Sequence, residues 1–95
     1  MTNDAAVMAI AFLESRGFID KSAEHPWNQL HMERAFGDFT LTVWGRHWSQ
    51  VIVQIYQDAD AALSIAEVST REALAAVVDK TIEFLSFIEG ERWGT

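Results

Sequence analysis

The chain has 95 residues, 49% hydrophobic and 22% charged, a composition that suits one folded domain and not a disordered segment. Seven basic and 14 acidic residues leave a net charge of −7, so a direct binder of nucleic acid or of an anionic membrane, which needs a basic patch, is not expected. Cysteine is absent, which excludes disulfide scaffolds, thiolate metal sites and cysteine nucleophiles.

The start, Met1-Thr2-Asn3-Asp4, is acidic, and the apolar run Ala5 to Leu13 is far shorter than the ~20 residues a membrane span needs. No signal peptide is expected, and a cytoplasmic location follows. The first element predicted is a helix from about Asp4 to Arg16, with Thr2, Asn3 or Asp4 as cap. Gly17 suits the C′ position and Phe18 the apolar contact that follows it. Val7, Ile10 and Ala11 lie on one stripe and Met8 and Phe12 on the next, so this helix is expected to be covered on more than one side.

Residues 18–26 form a connector in which Pro26 biases His25 away from helix. From Trp27 to Phe36, Asn28, Leu30, Met32, Arg34 and Phe36 alternate with the residues between them; the pattern indicates a strand, with a short helix as the alternative. Asp38 to Trp44 and Trp48 to Gln57 are β-rich runs around Gly45-Arg46-His47. A three-residue loop there pairs Trp44 with Trp48, Thr42 with Gln50 and Thr40 with Ile52, and puts Leu41, Val43, Val51 and Val53 on the other face. A two-residue loop would mix the faces, so side-chain period two selects an odd loop. After the turn Asp58-Ala59-Asp60, Ala62 to Val68 is a shorter strand with Leu63 and Ile65 toward the core. Ser69 and Glu72 have capping-box spacing and open a helix from Thr70 to about Glu89, ended by Gly90. Its core stripe is Leu74, Val77, Val78, Thr81, Leu85 and Ile88. The whole is an α+β domain: a four-stranded antiparallel β-meander flanked by an N-terminal and a C-terminal α-helix, α-β-β-β-β-α.

Catalytic signatures are missing. The serines lack motifs, the glycines are isolated, and no phosphate loop is present. His31 and Glu33 alternate on one strand, and His25 or His47 could approach, but no H-E-x-x-H or other zinc spacing exists. Solvated histidines explain them, and no metal or cofactor is expected. Asp58 and Asp60 fit a β-turn better than a calcium loop, which needs a longer ligand pattern. A non-enzymatic protein is expected.

Two surfaces stand out. Trp44, Trp48, Ile52 and Tyr56 share the face opposite the packed one, interleaved with Thr40, Thr42, Gln50 and Gln54. Aromatic anchors in a polar surround suit a partner-binding face, with Arg46 at its end; a covering helix would make the same face interior. The second surface is the acidic row Glu72, Asp79 and Glu83 on the last helix, interrupted by Lys80, which could steer a basic partner or merely keep the helix soluble. The expected function is a small acidic protein-interaction module that binds a basic, nucleic-acid-handling protein. Size and charge suit an inhibitor, antitoxin, immunity or phage counter-defence role. The alternative is a structural homo-oligomer, such as a homodimer, with the aromatic face buried against its own copy.

Overall fold

A two-residue pairing at the sheet edge adds a strand to the meander. The computed structural model describes residues 3–47, 50–57 and 61–93. In chain order they form α1 (Asn3–Ser15), β1 (Ile19–Asp20), a 3-10 turn (Ser22–Glu24), β2 (Leu30–Phe36), β3 (Phe39–His47), β4 (Gln50–Gln57), β5 (Ala61–Val68) and α2 (Arg71–Trp93). The sheet is five-stranded and antiparallel, in the order β1-β2-β3-β4-β5. The α+β class and the two terminal helices hold, while the strand number rises from four to five. β1 is too short, and too exposed, to leave an alternating pattern in the sequence.

α1 ends as its sequence requires. Gly17 takes φ +83°, the Phe18 N–H donates to the Leu13 carbonyl and the Gly17 N–H to that of Glu14, which is a Schellman ending. Phe18 is buried behind it, and Arg34 Nη1 donates to the Arg16 carbonyl at 2.7 Å. Among residues 8–15 of α1, one side is covered. Ala9 and Leu13 enter the core, Ile10 and Phe12 pack at its margin, and Met8 and Ala11 stay exposed.

Both helices contribute to one core on one sheet face. There Leu13, Leu74, Val78 and Leu85 join Leu30, Met32, Phe36, Leu41, Val43, Val51, Val53, Ile55 and Val68. Every one of those strand residues belongs to the same side of the pleat in the observed register. The opposite face, bearing His31, Glu33, Thr42, Trp44, Ile52, Gln54 and Tyr56, carries no helix among the described residues.

The β3–β4 register differs from the expected one. Trp44 lies opposite Ile52, not Trp48, and Thr42 opposite Gln54, with Leu41 opposite Ile55 and Val43 opposite Val53. Gly45-Arg46-His47 is strand, not loop, and an irregularity between Trp44 and His47 bends β3. The displacement is an even number of residues, so each side chain keeps its expected face. A Cβ on Gly45 would fall 2.8 Å from the Gln50 carbonyl oxygen, so this glycine serves close strand approach and not a turn. Trp48, like Asp58 and Asp60, lies outside the described residues.

Three further expectations change. Thr70, not Ser69, caps α2: its Oγ1 accepts from the Ala73 N–H at 3.1 Å. The helix runs through Gly90 to Trp93. Leu63 and Ile65 are 63% and 40% exposed, and Ile65 is the unpaired residue at the irregularity between the pairs Val53–Ala66 and Gln54–Ser64.

Candidate functional site: the helix-free sheet face

The helix-free face is organised around one glutamine. Gln54 Oε1 accepts from the Trp44 indole Nε1–H and from the Tyr56 hydroxyl, each at 2.8 Å, while its Nε2 donates to Ser64 Oγ at 3.0 Å. One amide therefore fixes aromatic side chains from β3 and β4 and reaches β5. Trp44, Ile52 and Tyr56 are half-buried, and Thr42 in their midst is buried. Gln50 and Glu67 are joined by a side-chain hydrogen bond at the same end of the sheet. Hydrogen bonds within the sheet hold the Trp44 and Tyr56 side chains in place.

At one end the face runs into an open cavity of about 420 Å³, lined by Trp27, Asn28, Trp44, Gly45, Arg46, His47, Gln50 and Ile52. Arg46 is exposed there. Trp27 lies not in the strand, as the alternation predicts, but in the turn before β2, 61% exposed. Pro26 explains the bend: the Asn28 N–H donates to the His25 carbonyl at 2.9 Å, closing a turn in which proline holds the second position. The Gln29 N–H then donates to the Gly45 carbonyl and starts the β2–β3 ladder.

That turn also brings three chemically active side chains together. The His25 and His31 rings stack with centroids 3.6 Å apart and planes 8° from parallel, and Trp27 meets His25 edge-on. His31 Nε2 lies 3.1 Å from Glu33 Oε2, and Asn28 Nδ2 lies 3.3 Å from His31 Nδ1. If Asn28 donates to Nδ1, the imidazole is neutral and its Nε2–H donates to Glu33. Burial lowers the His31 pKa, the Glu33 hydrogen bond opposes that, and the neighbouring His25 lowers it further. Asn28 Oδ1 is buried with no hydrogen-bond partner. His47 is exposed and lies on the cavity wall, outside this cluster.

The acidic row on α2 is engaged with cations. Asp79 binds Arg16, the residue that follows α1, through two contacts, at 2.8 and 3.3 Å, and Arg16 holds its carboxyl below the usual carboxylate range. Glu83 lies 3.7 Å from Lys80, and Glu72 lies 4.0 Å from Arg71. Asp79 is thus a bridge between helices, and the row is less free than its spacing implied.

A second apolar surface, absent from the sequence reading, lies at the far end of α2. Phe84 and Phe87 are 57% and 65% exposed, and Phe84 lies beside the exposed Leu63. A cleft of about 230 Å³ runs between Phe39, Ile55, Leu63, Phe84, Leu85 and Ile88. The signal was available: two phenylalanines lie off the Leu74–Val78–Thr81–Leu85 stripe.

Comparison with models of protein families, with curated proteins and with solved structures finds no match. No helix among the described residues is long and apolar enough to cross a membrane.

Proposed function

We propose that this chain is a non-enzymatic protein-interaction module that docks a basic protein on the helix-free sheet face, in the manner of an inhibitor. The observation that carries this reading is the Trp44–Gln54–Tyr56 network, which presents aromatic side chains and Ile52 on a face with no covering helix. The exposed Trp27 and the cavity beside Trp44 give a partner side chain a place to insert. Glu33 and Glu67 border the face, and the net charge of −7 favours a basic partner and fast association at low salt. The row Glu72, Asp79 and Glu83 plays the lesser part, since each of its carboxylates has a cation nearby.

The test is affinity capture from the source cells with the native chain and with the double variant Trp44→Ala/Ile52→Ala. The reading expects one protein, of net positive charge, retained by the native chain and lost by a variant that circular dichroism shows to be folded. Retention of the same protein by the folded variant would overturn it.

Self-association is the second reading, and a different surface favours it. β5 is an edge strand on which Leu63 and Ile65 are exposed, and Phe84 and Phe87 of α2 are exposed as well. Sedimentation at micromolar concentration distinguishes the two: a strict monomer removes this reading and leaves the first untouched.

A further inference from the structure

We propose that His25, His31 and Glu33 form a binding site for a divalent transition-metal ion of the zinc class, at the margin of the aromatic cavity. One ligand atom from each residue lies within 4.8 Å of the others, and no other such trio of histidine or acidic side chains occurs among the described residues. A tetrahedral zinc with bonds of about 2.0–2.1 Å holds its ligand atoms about 3.3 Å apart. His31 Nε2 and Glu33 Oε2, at 3.1 Å, already stand near that separation. The fit is not accidental to the strand: residues two apart on β2 share a face, and the Pro26 turn lays His25 over them.

The donor chemistry agrees. Two imidazoles and one carboxylate suit zinc, nickel, cobalt or iron(II), and they leave a fourth position open to water or to a partner's side chain. A metal would take the place of the proton that now lies between His31 and Glu33. For His31 to coordinate through Nε2, its Nδ1 must carry the hydrogen and needs an acceptor. Asn28 supplies one. Turning its amide over brings Oδ1, now buried and unpartnered, to the position 3.3 Å from Nδ1. The flip exchanges the two ends of the amide: Oδ1 gains the Nδ1–H as its donor, and Nδ2 takes the buried position that Oδ1 held. His25 must rotate out of its stack on His31 so that its lone pair points at the ion; its ring is half-buried and sits at the end of the 3-10 turn, where side-chain rotation leaves the sheet untouched.

The experiment uses the full chain, stripped with chelator and dialysed. Zinc titration by calorimetry should give one equivalent bound and a rise in melting temperature. Cobalt(II) should give the visible absorption of a four-coordinate ion with nitrogen and oxygen ligands. His25→Ala and Glu33→Gln, both at half-buried positions, should each weaken binding by at least the roughly 10-fold that loss of an outer-shell partner costs. Asn28→Ala should weaken it by about 10-fold or more while removing no ligand. Far-ultraviolet circular dichroism confirms that each variant is folded. Absence of zinc and cobalt binding at millimolar metal would overturn the proposal, as would stoichiometric binding that the folded His25→Ala and Glu33→Gln variants retain in full.

Discussion

The guanidinium of Arg16 grips the carboxylate of Asp79 in a two-point contact, Nε to Oδ1 at 2.8 Å and Nη2 to Oδ2 at 3.3 Å, and so ties the end of α1 to the middle of α2. The residues are 63 apart in sequence, and among the described residues the two helices share no large apolar seam. Arg16 also lies over the Phe12 ring, so the pair continues the packing edge of α1. Both side chains are well exposed, so solvent screens the interaction.

Its pH dependence has a definite sign. The Asp79 pKa is lower in the folded chain than its ordinary value, because Arg16 favours the carboxylate. The contribution is therefore present above the unfolded pKa and is lost as pH falls through the folded one. Asp79→Asn should lower the urea midpoint slightly at pH 7, by less with added salt, and the two proteins should converge as the solution becomes strongly acidic. A gap that stays constant from neutral to acid pH would show that the pair does not contribute in this way.

The two faces of β3 and β4 should respond differently to truncation. Leu41 is fully buried beneath the helices, and Leu41→Ala should cost about 2–5 kcal/mol, part of it for the cavity left behind. Ile52, half-buried on the helix-free face, should lose only about 1–2 kcal/mol as Ile52→Ala. Equal losses in denaturant melts would mean that a covering layer lies over Trp44 and Ile52.

Face membership was legible in the sequence because strand side chains alternate with period two. Leu41, Val43, Val51 and Val53 could only be brought together one way. Register was not legible, because any even displacement preserves that separation: Trp44 opposite Trp48 and Trp44 opposite Ile52 satisfy the pattern equally. Gly45 tipped the reading toward a loop, since a glycine signals a turn and a close strand approach alike. The site shows the same division. Alternation placed His31 and Glu33 on one face, but the arrival of His25 depends on the turn at Pro26, whose direction no local pattern encodes. The exposure of Leu63 depends on how α2 crosses the sheet, and Leu63 itself keeps the core-side register opposite Ile55.

The cap of α2 offers a clean choice between neighbouring hydroxyls. Thr70 Oγ1 accepts the Ala73 N–H, one of the four amides that a helix start leaves without an intrahelical acceptor. Thr70→Ala should therefore cost about 0.5–2 kcal/mol. Ser69→Ala, exposed and outside that contact, should stay within about 0.5 kcal/mol of the native chain. The reverse order of losses in parallel denaturant melts would return the cap to Ser69.

Gly45 carries the most specific prediction about the β3–β4 ribbon. It is buried, opposite Leu30 in β2, and its carbonyl accepts the Gln29 N–H that begins the ladder. A methyl group there would meet the Gln50 carbonyl oxygen at 2.8 Å, the His47 carbonyl oxygen at 3.1 Å and the Val51 Cα at 3.4 Å, all backbone atoms. Backbone cannot swing aside as a side-chain tip can, so the strands must separate. Gly45→Ala should cost about 1–3 kcal/mol, as overpacking of a tight interior does. In a loop of the expected Gly45-Arg46-His47 type, the same substitution would meet open solvent and would be penalised only if the backbone there had positive φ. Amide exchange separates the two cases: the Gln29 amide, bonded to the Gly45 carbonyl, should exchange faster in the variant, while the Leu74 amide, bonded to the Thr70 carbonyl at the start of α2, keeps its local protection apart from the overall loss of stability. An unchanged Gln29 amide with native stability would show that Gly45 is not pressed against β4.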